Sequence, residues 1–380
     1  MTTPTRKFAP RPALLALALA MTLPVAAPAW AQQDYGNVGS QSMRAKRDAA
    51  RKAKEAAGKG EEVAAALFPQ ATREQPETKT SRAGTKRLQD MVEAYQDGDT
   101  AKARAEALEI ANDAESSAYE KAFAYQIAGT AASNDGDDAA AAEYFGKAIA
   151  TNGLDNNDHY TSMLNLAVVQ FGLDQYPAAL ETVDRFLAET KSNKKEAQSL
   201  RGGILMQMER YAEAAAIYSA QLAADPEDRT ARMNAVAAYQ QADQNDKAVA
   251  LLADAHAKGQ LTEANEYRAL YVSYLNAERD KDALALIDDG LANGVLKADP
   301  ELSTVFMILG QNAYYDSDLA TAIEMYKRAV PMAADGEAAL NLAKIYAEAG
   351  QKADASAAAK QALEKGVKNT DEARRLAGGQ

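Results

Sequence analysis

The sequence predicts an all-α chain, built as a solenoid of stacked helix pairs. Three observations carry the prediction. A small residue recurs as Ala103, Ala141, Ala179, Ala214, Ala248, Ala283, Ala322 and Ala355, at gaps of 38, 38, 35, 34, 35, 39 and 33 residues. A bulky side chain often follows one helical turn later, as at Phe145, Tyr218 and Tyr326. Polar turns such as Asn134-Asp135-Gly136-Asp137 and Asp316-Ser317-Asp318 precede the rungs. A period in this range with helical content throughout marks units that each bury one face against the next. A globular bundle would not require the same small residue at near-constant spacing.

Residues 1–31 read as a secretory leader outside the fold. Arg6, Lys7 and Arg11 give a positive start, Ala13 to Leu23 is apolar, and Ala29-Trp30-Ala31 precedes Gln32. That order predicts cleavage after Ala31. The apolar run is about half of the roughly 20 residues that span a bilayer, so a retained anchor is the second reading. No later stretch is long and apolar enough to span. The leader's style points to export into the periplasm of a Gram-negative bacterium. The absence of cysteine excludes a lipid-bearing cysteine, disulfides, thiolate catalysis and thiolate metal sites.

Cleavage would leave 349 residues and move the formal charge from −12 to −15. A chain this acidic repels phosphate backbones, which excludes nucleic acid as a partner class. The charge is uneven. Residues 43–87 carry 12 cations against 6 anions, and the chain beyond them carries −20. This asymmetry sets off a basic N-terminal arm and linker, 32–83, from the solenoid, 84–365. Within the arm, Ser42 to Ala57 favours helix by propensity but has little apolar surface to bury. Val63 to Phe68 is an apolar patch stopped by Pro69, and Pro69 to Arg82 reads as a linker. Two readings of the arm stay open. It makes weak contact with an acidic partner or an anionic lipid surface, or it is a solvated leader folding back on its own acidic solenoid.

The second unit shows the helix pair plainly. Tyr125, Ala128, Gly129 and Ala132 share one helical face; Ala141, Phe145 and Ala148 share another beyond the turn. The fourth has Gly202, then Tyr211, Ala214 and Tyr218, closed by Pro226. The seventh repeats it with Phe306, Leu309, Gly310 and Ala313, then Ala322, Tyr326 and Ala329. The eighth has Leu342, Ala343 and Tyr346, then Gly350 and Ala355. Small residues at a crossing let two backbones approach, and a ring one turn on fills the wedge beside them. Residues 366–380 are left as a C-terminal tail.

This pattern resembles the tetratricopeptide repeat (TPR), with an apolar-Gly/Ala pair in the first helix and Ala, aromatic, Ala in the second. The resemblance covers about eight units. It is loosest in the first, around Met91, Tyr95, Gly98-Asp99 and Ala103, and the fifth has Leu252 where the aromatic would stand. It implies a right-handed superhelical solenoid of about eight helix pairs whose first helices line a partner-binding face. By that resemblance the face includes Leu164, Val168, Phe171, Met206, Met233, Arg268, Leu275, Met307, Gln311, Tyr314 and Tyr315. Members that bind heat-shock chaperones grip a terminal carboxylate with Lys and Asn. The matching positions here hold Leu88, Gln126, Leu164, Val168, Met233 and Ala237, so that clamp is missing. A face bearing Met and Tyr suits an amphipathic helix or an extended apolar segment, because Met adapts to irregular shapes. The competing reading places the same Met and Leu residues in the core.

Catalytic and cofactor signals are absent. His159 and His256 fall in different units without a paired His or Cys, and read as surface or capping residues. The acid-rich turns at 135–138 and 155–158 lack the spacing of a calcium loop and read as helix N-caps. No phosphate-cradling Gly loop and no Gly-x-Ser-x-Gly occurs. The expectation is a protein with no enzymatic activity, no cofactor and no metal.

A narrower resemblance rests on Leu67-Phe68-Pro69-Gln70-Ala71-Thr72-Arg73, His159-Tyr160 and Tyr176-Pro177-Ala178-Ala179-Leu180. Together with a basic leader and a TPR array, these look like the periplasmic TPR proteins associated with TonB, ExbB and ExbD energy-transduction systems. That implies a scaffold for one or more cell-envelope proteins or peptide segments. An adaptor in cell-wall synthesis or outer-membrane assembly has the same composition, and an enzyme without a recognisable motif is the remote third class.

Overall fold

The computed structural model describes residues 66–378, which divide into two compact units, 66–248 and 249–378. The expected leader with its cleavage site at Ala29, Ala31 and Gln32, and the arm helix over Ser42–Ala57, lie outside the described residues. Among the described residues α-helix is the only regular secondary structure.

The first unit contains α1 (Arg82–Gln96), α2 (Thr100–Asn112), α3 (Ala118–Asn134), α4 (Asp138–Thr151), α5 (Asn156–Gly172), α6 (Tyr176–Thr190), α7 (Lys195–Gln207), α8 (Tyr211–Ala224) and α9 (Arg229–Gln241), with the start of α10 (Asn245–Ala257). Consecutive helices pack pairwise, and first helices also touch across a repeat, α1 with α3 and α5 with α7. The second unit continues with α11 (Ala264–Asn276), α12 (Asp280–Ala292), α13 (Pro300–Tyr315), α14 (Leu319–Met332), α15 (Glu337–Glu348), α16 (Lys352–Lys365) and α17 (Thr370–Ala377). Here α13 packs on α14 and on α15, and α17 packs on α15 and α16. The stretch assigned to a tail therefore carries a helix, whose own Ala373 is fully buried. Its eight residues hold too few apolar side chains to announce a helix by periodicity.

Short polar side chains start these helices by accepting from otherwise unpaired N–H groups. Ser81 accepts from Gly84, Asp99 from Lys102 and Asp318 from Thr321. Ser117 forms a reciprocal capping box with Glu120. Both acid-rich turns serve this purpose: Asp137 accepts from the Ala140 N–H and Asp155 from the Asp158 N–H.

The turn inside each helix pair is the same object eight times. Its left-handed residue is Gly98, Gly136, Asp174, Glu209, Asp243, Glu278, Ser317 or Gly350. Each precedes its alanine rung by five positions. The N–H groups there close the first helix in a Schellman pattern. Glu209 N–H donates to Met206 O at 3.1 Å and Arg210 N–H to Leu205 O at 2.9 Å, and the other seven turns repeat the pair.

All eight rungs are buried. The ring one turn later lies on the glycine of the first helix. A Cβ added to Gly129 would stand 2.9 Å from the Phe145 ring, one on Gly202 would stand 2.7 Å from Tyr218, and one on Gly310 would stand 3.0 Å from Tyr326. Where the ring is missing, Val183, Leu252 and Ile287 fill the position in three units and Ala107 and Ala359 in the first and eighth, all fully buried.

Two expectations change. Residues 69–82, which read as a linker, include a strap docked on α5 and α6. Its contacts come from single side chains that periodicity does not register. His159, expected at the surface, is 1 % exposed. It lies in α5 beside Tyr160, ring to ring at 5.4 Å. His256 stays half-buried on α10, its Nε2 3.0 Å from Asp289 Oδ2, while the Tyr267 hydroxyl donates to the same oxygen at 2.8 Å.

Candidate partner-binding surface

In the first unit, the first helices α1 and α3 present an open groove of mixed apolar and polar lining. Leu88 and Val92, one turn apart on α1, face Tyr119 and Phe123, one turn apart on α3. The two rings stack at 5.8 Å with 16° between planes. Thr80, Thr85, Gln89, Glu93, Gln96 and Asp97 complete the lining of this open groove, which is about 560 Å³ in volume. Burial, and then the charges of Asp158 and Asp155, push the Tyr119 hydroxyl up to about 12, so it stays a neutral hydrogen-bonding group. Sequence reasoning missed this groove. The aromatic pair at i, i+4 near the start of α3 was its only signal, and such pairs stabilise an isolated helix as readily as they line a site.

The eleven residues anticipated for the face fall into both units. Leu164, Val168 and Phe171 sit at i, i+4 and i+7 on α5 and are half-buried. Leu164 packs against the Tyr160–Phe186 cluster. Val168 lines a small cavity of about 30 Å³ with Thr130, Ser133 and Asn165. Phe171 leans on Tyr176, ring to ring at 5.6 Å. Met206 on α7 and Met233 on α9 are half-buried.

In the second unit Arg268 on α11 pairs with Glu301 on α13. Leu275 is only 8 % exposed and belongs to the interior more than to a face. On α13, Met307, Tyr314 and Tyr315 are half-buried and Gln311 is exposed. Gln311 Nε2 donates to the Tyr315 hydroxyl at 3.3 Å, and the Tyr314 hydroxyl donates to Glu348 at 2.8 Å. The structure thus gathers Met307, Gln311, Tyr314 and Tyr315 on one helix with a carboxylate beside them. These groups offer apolar area with hydrogen-bonding tips, which suits peptide contact.

Among the described residues no helix is long and apolar enough to cross a membrane. No group of three or more His, Cys, Asp or Glu side chains among them is placed to hold a metal ion.

Residues 62–237 match the family model described as a tetratricopeptide repeat-like domain. No curated protein matches the chain. Solved structures resemble it distantly. A tetratricopeptide repeat protein from Parabacteroides merdae ATCC 43184 is 14 % identical, with 79 % of this chain and 99 % of that one covered at a TM-score of 0.39. MamA from Desulfovibrio magneticus RS-1 is 19 % identical over 45 % of this chain and 93 % of its own, at 0.38. YrrB, described as a TPR protein with an unusual peptide-binding site, is 16 % identical over 52 % and 99 %, at 0.36.

Proposed function

We propose that this TPR-like protein is a non-catalytic periplasmic scaffold. On its first-helix faces it holds an apolar segment of a cell-envelope protein, as an accessory of a TonB-type energy-transduction system. The observation that carries the binding role is the groove of Leu88, Val92, Tyr119 and Phe123, about 560 Å³ in volume and open between two first helices. A groove of this size, with four apolar or aromatic side chains set among polar ones, accepts an aliphatic or aromatic side chain and hydrogen-bonds the backbone around it. The positive start, apolar run and Ala29-Trp30-Ala31 site support export. The TonB association rests on the resemblance carried by residues 67–73, 159–160 and 176–180.

Two measurements test the reading. An alkaline phosphatase fusion after residue 60 should be active in cells and lose activity when Ala29 and Ala31 are replaced by bulky residues. A photo-crosslinking residue at Tyr119, irradiated in living cells, should capture one dominant envelope protein. A TonB, ExbB or ExbD component supports the accessory role. A wall synthase or hydrolase would transfer the scaffold to cell-wall assembly, and a cytoplasmic partner would refute the location.

A further inference from the structure

Residues 67–73 sit on the array as a bound peptide does. Phe68 to Ala71 form a turn closed by the Ala71 N–H on the Phe68 carbonyl at 3.1 Å, with Pro69 at the position where its fixed φ favours such a turn. The turn drives Phe68 into an aromatic box. Its ring meets Tyr160 at 5.5 Å and 70° and Phe186 at 5.4 Å and 88°, both edge to face. The Lys194 ammonium stands 4.8 Å from the ring centre. Phe68 is 7 % exposed, while the adjoining Leu67 is 47 % exposed.

Five residues after the phenylalanine, the Arg73 guanidinium fills a cradle of neutral acceptors. Nε donates to Asn152 Oδ1 at 2.8 Å and Nη1 to Asn156 Oδ1 at 2.7 Å. Nη2 donates to the carbonyls of Asn152 at 3.2 Å and Leu154 at 3.0 Å. Asn152 caps the C-terminus of α4, where the helix dipole favours a cation. Between the two anchors, the Thr72 N–H donates to the Glu189 carbonyl at 2.8 Å and its hydroxyl to the same oxygen at 3.1 Å.

Two further features distinguish this segment from an ordinary part of the fold. No residue of it belongs to a helix, and the connector 74–79 that joins it to α1 is exposed apart from the half-buried Pro76. The wall beside it also carries an unused polar group. His159, next to Tyr160, is 1 % exposed, and neither ring nitrogen has a hydrogen-bond partner. A buried polar group without a partner is costly, so a ligand that reached it would bind better than the strap does.

We propose that the Tyr160–Phe186 box and the Asn152–Asn156 cradle form a peptide-recognition site for a partner segment with an aromatic–Pro turn and an arginine five residues after the aromatic. Residues 67–73 occupy it in cis until such a segment displaces them. The short tether holds the strap at an effective concentration of about millimolar, so the site responds to partners that are tightly complementary or locally concentrated. Displacement also breaks the hydrogen bond that the Leu67 N–H donates to Asn157 Oδ1 at 2.8 Å. The site lies at the ends of α4 to α7, and the inference does not depend on what the first-helix groove holds.

The test uses the full chain and a fluorescent synthetic peptide of residues 66–75. The peptide should bind the Phe68→Ala/Arg73→Ala chain saturably and the wild-type chain about tenfold more weakly or less. Peptides carrying either alanine should lose about tenfold in affinity for the same variant. Equal binding to both chains, or no binding to a variant with wild-type circular dichroism, overturns the proposal. Should that variant lose its helicity, a chain with a protease site inserted between Glu77 and Thr78 decides. After cutting, the labelled peptide should replace the severed strap one for one. A severed strap that resists peptide at about millimolar concentration is a fixed part of the fold, and the recognition site is then ruled out.

Discussion

A methyl group built on Gly202 would stand 2.7 Å from the Tyr218 ring, inside any normal carbon–carbon contact. The two residues belong to the two helices of one pair, and the same contact joins Gly129 to Phe145 and Gly310 to Tyr326. The glycine is what lets the ring approach the neighbouring backbone so closely. Gly202→Val should therefore force α7 and α8 apart. The expected loss is about 2 kcal/mol, within the 1–3 kcal/mol typical of overpacking. Shortening the ring in the Gly202→Val/Tyr218→Leu double variant should recover about 1 kcal/mol by relieving the clash. Thermal denaturation of the four chains of this cycle measures it, and strictly additive losses would show that the two side chains do not share a contact.

The turn residues give a prediction of opposite sign. Glu209 and Glu278 hold φ of 58° and 55°, where a side chain is disfavoured by roughly 1–2 kcal/mol. Glycine would relieve that strain, less the extra freedom it gives the unfolded chain, of order 0.5–1 kcal/mol. Glu209→Gly and Glu278→Gly should each stabilise the protein by about 0.5 kcal/mol, read as a rise in denaturant midpoint. Gly98→Ala and Gly350→Ala, at φ of 84° and 76° with open space around the added Cβ, should destabilise by about 1 kcal/mol through backbone strain alone. A Glu209→Gly chain less stable than wild type would contradict the strain argument.

These two relationships differ in how far the sequence discloses them. The rungs are visible because burial between two helices demands a small residue and sequence spacing records that demand directly. The turn five positions ahead is legible only where glycine or a run of short polar residues marks it, as at 134–137, 316–318 and Gly350. Only three of its eight left-handed residues are glycine, and Asp174, Glu209, Asp243 and Glu278 look like ordinary surface residues. The strap is hidden for another reason. Phe68 meets Tyr160 and Phe186, Thr72 bonds Glu189, and Arg73 bonds Asn152 and Asn156, all about 80 to 120 positions away, and no local pattern encodes such contacts. His159 misleads because a lone histidine among polar neighbours such as Asp158 and Asn157 resembles a capping residue, whereas its helix turns it inward. Leu164, Val168 and Phe171 were legible as one helical stripe, yet their half-burial shows that such a stripe divides between core and face.

His159 predicts an acid limb. Burial first, then the charges of Arg73 and Arg185, push its pKa down from 6.5 to about 4 against a weaker opposing pull from Glu189. The unfolded chain therefore takes up a proton on this ring before the folded chain does. Stability is fully present above about pH 6.5 and falls as the pH drops toward about 4, by on the order of 2 kcal/mol. Asp137 and Asp318 act at lower pH. Backbone donation from Ala140 leads in holding Asp137 below the usual carboxylate range, and the Thr321 hydroxyl leads for Asp318. Their contributions are lost only as the pH falls through those depressed values. His159→Leu should flatten the stability profile between pH 6.5 and 4 while leaving the lower limb in place. Urea midpoints taken every half pH unit would show it, and an unchanged slope would mean that His159 is hydrated or partnered in solution.

The first-helix face makes the most demanding prediction, because burying a charge there must abolish binding without unfolding the array. Val92 and Met206 are both half-buried, so a carboxylate at either position can turn toward water in the free protein at little cost. With an apolar partner seated, the same carboxylate is trapped without a counterion, which costs several kcal/mol and removes most of a modest affinity. Val92→Asp tests the groove between α1 and α3, and Met206→Asp with Met233→Asp tests α7 and α9. Partner capture should fall at least about tenfold for the surface that binds, with helical circular dichroism unchanged. A loss confined to Val92→Asp would place the partner against the stacked Tyr119 and Phe123 rings; a loss confined to the methionine pair would place it further along the unit. Full capture by both variants would show that neither face holds the partner.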